Sequence, residues 1–595
     1  MIFGKHINRY YIKYGPMLLL GILSLVMVDW LQLKVPELYR LTVNGVNTGL
    51  GTLPDGTQVP FDMDFLLQNI CAPLIVVIFS LVVGRFLWRI CFFGSAIRAE
   101  TDIRGLMFDR CKELSQQFYN KNKVGGMMTL FTNDLETVQE CFGDGVLMVC
   151  DALVLGGLAL YKMIRMNLVL TLLSLLPMTF LFAIGTVVGK RMTVKWDKRQ
   201  EAFSKISDFA QESFSGISVI KAFVRESREL SAFAKLNREN ENANVDFVRT
   251  AVLLRIFVTL FVESVLCIIF GYGGYLVHEG IFDVGRMIEF IGYFTSIIWP
   301  IMAVSELIDM HSRGKASLSR IGELLDTKTD VTDKEGVTDI GTVQGSIEMR
   351  DLSFTYPEAS QQALHDVSFY IAAGEHVGVI GKTGSGKTTV ADLILRTYII
   401  GDGMLFIDGR DVNTMPIKEL LSNIAYVPQD NFLFSDTIEN NIAFSQDQPD
   451  EALVTEAAQM SDVHDDISAF PDGYKTVLGE RGVTVSGGQK QRISIARALL
   501  KDAPILIMDD SVSAVDTGTE KKILEALHKI RKGKTTILIA HRVSTVKDMD
   551  KIIMIEDGTV IACGPHDELY EKCPQYRKTV ELQRLEDEEG GGQNA

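Results

Sequence analysis

The sequence predicts an all-α transmembrane domain of six long helices, followed by an α/β domain built around a phosphate-binding loop. Three observations carry this. Apolar runs long enough to cross a bilayer recur as far as residue 310. Beyond residue 345 the pattern changes to short β runs alternating with helical stretches, which is the order of an α/β domain. Within that part, Gly381 to Thr389 reads GKTGSGKTT and fits G-x-x-x-x-G-K-[ST] with Gly381, Gly386, Lys387 and Thr388.

Size and composition agree. With 595 residues the chain is too long for one core. Its mean hydropathy is positive, unusual for a water-soluble protein. The net charge of −16 argues against nucleic acid as the main partner. Eight cysteines, at 71, 91, 111, 141, 150, 267, 563 and 573, form no C-x-x-C pair and mostly lie in apolar runs. They read as small buried hydrophobes, with neither a disulfide framework nor a zinc site.

Residues 1–14 are basic and aromatic (Lys5, Arg9, Lys13; Tyr10, Tyr11, Tyr14), without a cleavage site after the apolar run. They read as an amphipathic elbow on the cytoplasmic surface. The transmembrane domain occupies 15–310, with spans near 15–40, 65–94, 141–163, 167–189, 250–279 and 284–310. Residues 42–64 lack Lys and Arg, whereas the loops 95–140 and 190–249 are rich in both. The positive-inside rule therefore puts those two loops and both termini in the cytoplasm. Glu201 to Phe247 contains almost no helix breaker except Gly216, so the spans continue as helices far beyond the bilayer. Trp299-Pro300 predicts a kink in the sixth span. Asp29, Arg85, Asp151, Glu263, Glu289, Glu306 and Asp309 lie in or near the spans. They are expected to pair between helices or to lie at the membrane interface, and Asp29, Asp151 and Glu263 could also line a cavity favouring cationic amphiphiles. Residues 311–344 read as a polar linker, 345–580 as the α/β domain, and 581–595 as an acidic flexible tail.

The phosphate loop has a physical reason. His376 to Ile380 reads as a buried strand and Val390 to Arg396 as a helix. Glycines between them let the backbone approach a phosphate chain, with N–H groups and a helix N-terminus adding positive potential. Lys387 reaches the β- and γ-phosphates and the Thr388 hydroxyl holds Mg²⁺, so ATP and Mg²⁺ are the expected ligands. Ile505 to Asp509 is an apolar strand ending in a carboxylate, suited to a metal's water shell beside that loop. Val485-Ser-Gly-Gly-Gln489 opens a second helix, a second anion site that makes sense facing a nucleotide held by another chain.

With these motifs in order, residues 345–580 resemble the nucleotide-binding domain of the ATP-binding cassette (ABC) family, and the whole chain resembles an exporter half-transporter. The resemblance implies an α/β P-loop nucleotide-binding domain. In it, Tyr356 stacks on adenine, Gly381, Thr383, Gly384, Ser385, Gly386, Lys387, Thr388 and Thr389 form the Walker A loop, and Gln429 is the glutamine of its own loop. Asp509 is the Walker B aspartate, sharing the metal with Thr388 and Gln429. Ser486, Gly487, Gly488 and Gln489 are the signature, with Val485 for the usual leucine and Gly479 to Gly482 just before it. Ser513 to Asp516 is the D-loop and His541 the switch histidine. In the membrane half, 216–223 and 124–134 resemble the exporters' cytoplasmic loops.

One departure matters: the family usually follows the Walker B aspartate with glutamate, and here Asp510 stands in that place. Its carboxylate is withdrawn by more than about 1 Å, a displacement that can cost about 10²-fold in rate. The resemblance then implies the subunit of a bacterial heterodimer with its own Walker site weakened and its signature serviceable. Catalysis at that site would fall to Asp510, Gln429 and His541. The expected partners are a second half-transporter chain, membrane lipids, and a drug-like, lipid or peptide substrate exported across the bacterial cytoplasmic membrane. The alternative is a homodimeric lipid flippase or peptide exporter in which Asp510 is competent.

Overall fold

A computed structural model describes residues 3–53, 57–357, 359–479, 485–513 and 515–591. The chain forms two compact units, one comprising Met1–Lys112 with Val124–Thr327, the other Glu113–Lys123 with Lys328–Ala595.

The first unit is helical. Among the described residues, five helical stretches are long and apolar enough to cross a membrane: Gly15–Thr48, Met63–Glu113, Val124–Met166, Glu226–His278 and Val284–Asp326. The span expected near 167–189 is represented by a shorter apolar stretch, Leu168–Phe180, opening the helix Leu168–Ser215. Leu19, Leu23, Ile75, Phe79, Val82 and Phe86 face outward. Exposed apolar side chains in such numbers suit hydrocarbon as the solvent and would aggregate in water. Leu170, Met163, Phe290, Tyr293 and Phe294 fill the interior. Close helix approach depends on absent side chains: a Cβ at Gly84 would sit 2.5 Å from Val28, and one at Gly292 2.7 Å from Pro36.

Turn chemistry sets the helix ends. Asn167 is extended and its side chain accepts from the Leu170 N–H, starting Leu168–Ser215. Asp283 does the same for Arg286, starting Val284–Asp326. That first long helix has 48 residues, about 72 Å, more than twice a bilayer's hydrocarbon thickness. After Gly216 and the short helix Ile217–Ala222 the chain returns along Glu226–Ile268. The segment 42–64 holds a hairpin of β1 (Leu50–Thr52) and β2 (Gln58–Pro60).

Several of the intramembrane charges are met by polar partners, as a low-dielectric surrounding favours. Asp29 is buried beside Asp151, and Trp299 donates to Asp151 at 2.8 Å. Tyr293 donates to Glu289 at 2.7 Å, and Arg40 sits 3.2 Å from the same carboxylate. Glu263 stands exposed on the helix Glu226–Ile268 and takes no part in the Asp29–Asp151 pair.

Three boundaries are corrected. The helix Val284–Asp326 continues through sixteen residues assigned to the linker. Buried Ser317, Ile321 and Leu324 recur there at helical spacing, so packing overrides the polar composition. Residues 113–123 leave the expected membrane domain and belong to the second unit, where Asn120 donates to the Tyr398 hydroxyl at 3.2 Å. The tail, expected to lack order, is helical as far as Gly591 within Pro574–Gly591, a run rich in the helix formers Leu and Glu.

The second unit holds two sheets. An antiparallel one has the order β4 (Leu364–Ile371), β3 (Ile347–Phe354), β6 (Leu405–Ile407), β7 (Arg410–Asp411). The larger has the order β12 (Thr559–Gly564), β11 (Lys551–Glu556), β5 (His376–Ile380), β10 (Thr535–Ala540), β9 (Ile505–Asp509), β8 (Ile424–Val427). All its pairings are parallel except β11 with β12. Every residue of β5, β9 and β10 is buried, which explains their unbroken apolar runs.

Candidate nucleotide site

Parallel pairing brings the motif residues to one edge. Ala540 lies opposite Ile380, Ile539 opposite Asp509, and Val427 opposite Met508. The residues that follow β5, β8, β9 and β10 therefore emerge side by side: the 381–387 loop, Gln429, Asp510 and His541. Ligands of open α/β sheets bind at this carboxyl edge.

The loop's glycines are required locally. A Cβ at Gly381 would lie 2.1 Å from the Ile555 carbonyl oxygen. Gly384 and Gly386 have φ of +80° and +99°, which side chains resist. Gly386 caps the helix Lys387–Ile394, so Lys387 occupies its first turn. The ammonium is buried and donates to the carbonyls of Gly381 and Lys382, each at 2.8 Å. Burial pulls it below the usual lysine range, against the opposing pull of Asp509 and Asp510.

Outside the loop lies a cavity of about 300 Å³ lined by Tyr356, Thr383, Gly384, Gly386, Lys387, Thr388, Thr389, Gln429, Asp509, Asp510 and His541, with Ala363. Gly381 and Ser385 of the same loop are not among the lining residues. The donor set fits Mg²⁺ and phosphate. Asp509 is 1% exposed, yet among the described residues its Oδ2 has no partner, and its other contacts include the Thr388 hydroxyl. Ser385 Oγ is likewise buried and without a partner among the described residues. Burial raises the Asp509 carboxyl above the ordinary aspartate range, and a divalent cation would reverse that. Tyr356 is half-buried; its ring sits edge-on at 5.1 Å from both Phe354 and Tyr398, and its hydroxyl meets Thr389 at 2.8 Å.

The signature lies elsewhere. Ser486 caps the helix Gly487–Leu500 through a capping box, its hydroxyl accepting from the Gln489 N–H at 3.2 Å and its N–H donating to Gln489 at 3.0 Å. Ser486 and Gly487 are exposed, and neither they nor Gly488 and Gln489 line the cavity. Asp516 is also outside it, capping Thr517–Ile530 by accepting from Gly518 and Thr519. Residues 480–482 of the preceding segment and Ala514 of the D-loop lie outside the described residues.

The family described as the ABC transporter transmembrane region matches residues 18–301, and that described as ABC transporter matches 364–513. A probable multidrug resistance ABC transporter ATP-binding/permease protein, YheI of Bacillus subtilis (strain 168), is 33% identical over 602 residues, covering 100% of this chain and 99% of its own. The chain belongs to the ABC transporter family. The transporter is also similar to the multidrug resistance-like ATP-binding protein MdlA of Escherichia coli (strain K12), at 34% identity over 94% of this chain and 93% of that one. The ATP-dependent lipid A-core flippase of Syntrophus aciditrophicus (strain SB) is 32% identical over 87% and 86%. A solved bacterial Atm1-family ABC exporter with ATP bound superposes with a TM-score of 0.77 at 27% identity, covering 98% of this chain and 100% of that one. It is an integral membrane protein that couples ATP hydrolysis to transport.

The transporter's cavity has neighbours that no motif announced. Gln491 donates to the Asp510 carbonyl at 3.1 Å, from within the signature helix. Asp392, on the Walker A helix, has its carboxyl pushed up to about 6, by burial first and then by Asp509, with the Tyr356 hydroxyl opposing. Helical spacing marked it only as one polar residue in an apolar run. Its folded value lies above the ordinary 3.8, so its charged form disfavours the fold. The penalty is absent below pH 3.8, grows through about 6 and is complete above it. Asp392→Asn should therefore stabilise the nucleotide-free transporter by about 1–2 kcal/mol at pH 7.5, after discounting for partial exposure. Thermal unfolding at pH 7.5 and 4.5 checks this: the gain should shrink at the lower pH, and an equal gain at both would exclude the assignment.

Proposed function

We propose that this chain is one half of a dimeric, six-span exporter that moves a hydrophobic or amphipathic substrate across the bacterial cytoplasmic membrane by alternating access. The observation that carries the reading is the separation within one chain of a complete Walker cavity from an exposed signature helix terminus. Each half-site then needs a second chain. Two ATP molecules would lie between the Walker loop of one chain and Ser486 to Gln489 of the other. Closure of the nucleotide domains would turn the membrane cavity outward, and hydrolysis would reset it. Lys387 binds the β- and γ-phosphates, Tyr356 supports adenine, Asp510 orients the attacking water and His541 contacts the terminal phosphate. Mg²⁺, held by Thr388, Gln429 and Asp509, would neutralise charge on the phosphate oxygens. The cargo is a drug-like compound, lipid or peptide; relatives named as multidrug transporters and a lipid flippase support the first two.

The finer proposal is a heterodimer in which this chain's own site is the slow one. Asp510 sits at φ +45°, a conformation that aspartate tolerates better than most residues. Its N–H donates to the Ile539 carbonyl at 3.0 Å, while its own carbonyl accepts from Gln491 at 3.1 Å and Ser513 at 2.9 Å. A backbone held from three sides is poorly placed to make up the missing methylene. The 32% identity to a lipid A-core flippase supports the alternative of a homodimer with a competent Asp510.

The test is ATP-dependent accumulation of a fluorescent amphiphile by inverted membrane vesicles, abolished by Lys387→Ala; equal accumulation in both would end the reading. Orientation has its own prediction. In a background without the native cysteines, Thr52→Cys in the β1–β2 hairpin should react with an impermeant thiol reagent in intact cells, and Lys235→Cys should not. The opposite pattern would invert the topology.

A further inference from the structure

We propose that Gln583 is the positioning residue of the switch-histidine loop, so that the C-terminal helix sets the aim of His541. The proposal rests on His541 as the group that meets the terminal phosphate. Strand β10 makes its last ladder pairing at Ala540, opposite Ile380. Beyond that point the backbone of His541 to Val543 has left the sheet, and Arg542 is extended (φ −103°, ψ 133°). The helix Val543–Val546 begins without a side-chain cap from Arg542, so its first N–H has no local acceptor.

Gln583 fills both gaps with one amide. Its Nε2 donates to the His541 carbonyl at 2.7 Å, and its Oε1 accepts from the Val543 N–H at 2.7 Å. The two bonds bracket Arg542 and act as one further rung on the end of β10. A side-chain amide suits this because it offers a donor and an acceptor in one rigid plane. Its position is itself fixed. Tyr576, fully buried, and Val580, packed against the core, precede it by seven and three residues on the same face of Pro574–Gly591. The Tyr576 hydroxyl is tied to His566 at 2.7 Å. Anything that lifts this helix removes the clamp, and anything that moves His541 pulls on it.

The test uses the full-length transporter in nanodiscs, purified with whatever chain accompanies it from its native membrane. Amide hydrogen exchange and steady-state ATP turnover are compared for Gln583→Ala, Gln583→Glu, His541→Ala and the Gln583→Ala/His541→Ala pair. In Gln583→Ala the Val543 amide should exchange at least tenfold faster while the β10 amides keep their protection. Gln583→Glu retains the acceptor but not the donor, and should keep Val543 protected. With the partner's site blocked by Ser486→Arg, so that the remaining turnover is this chain's own, the kcat of Gln583→Ala should fall about tenfold with the KM for ATP within twofold, and adding His541→Ala to it should cost nothing more. Unchanged Val543 exchange overturns the clamp, as do losses that multiply with those of His541→Ala or a KM that rises in step with the fall in kcat. If His541→Ala leaves intact the turnover measured with the partner's site blocked, the role given to His541 has failed, and Val543 exchange alone then decides whether Gln583 holds the loop.

Discussion

Replacing Lys387 with alanine is expected to lower ATP affinity by about 30- to 1,000-fold and to abolish transport. The ammonium sits at the first turn of the Walker A helix, buried, with carbonyl partners it would share with a phosphate chain. Losing a charge-assisted contact to a buried anion costs about 2–4 kcal/mol, which converts to that range. The fold should survive. Burial already pulls the lysine below its usual range, so removing the charge removes a desolvation cost. Thermal unfolding without nucleotide should therefore be unchanged or slightly later in Lys387→Ala, while a fluorescent ATP analogue no longer binds. Lys387→Arg should not rescue, because a broad planar fork does not fit where a compact ammonium reaches two loop carbonyls. Retained affinity in the alanine variant would remove the basis for placing the phosphates in this cavity.

The asymmetric dimer predicts opposite outcomes from two substitutions on the same chain. Asp510→Asn should change total hydrolysis by less than about twofold, since that site contributes little when its carboxylate is short. Ser486→Arg should remove most hydrolysis, about tenfold or more, because a bulky side chain blocks the helix terminus offered to the partner's nucleotide. Ser486 is exposed, and among the described residues its hydroxyl is engaged only in its own helix's capping box, so loss of the cap costs about 1 kcal/mol and would not by itself unfold the domain. The measurement is steady-state ATPase of the purified pair. If this chain alone forms a fully active dimer whose hydrolysis collapses with Asp510→Asn, the asymmetric model is wrong and aspartate does the work usually given to glutamate.

Much of this was readable from the chain. The phosphate loop, the Walker B strand, the signature and the switch histidine are local patterns whose chemistry depends on spacing along the backbone. A glycine pattern before a helix or a carboxylate at the end of an apolar strand carries its meaning without knowing its neighbours. The same holds for the apolar runs and for the Lys/Arg asymmetry of the loops. Composition misled where local polarity was overruled. Residues 311–326 are polar yet helical, because Ser317, Ile321 and Leu324 are buried at helical spacing.

Three things were decided only by the tertiary structure. The assembly of Lys387, Gln429, Asp509, Asp510 and His541 around one cavity follows from the parallel order of β5, β10, β9 and β8, which no local pattern states. The setting of Asp510 depends on Ile539, Gln491 and Ser513, and the raised carboxyl of Asp392 on its burial beside Asp509. Gln583 meets His541 across a separation of 42 residues. A sequence by itself determines what lies within a helical turn or a strand's period, because those contacts are set by backbone geometry. Hydrogen bonds and desolvation between distant residues depend on which surfaces the fold brings together, and those exist only once the chain has packed.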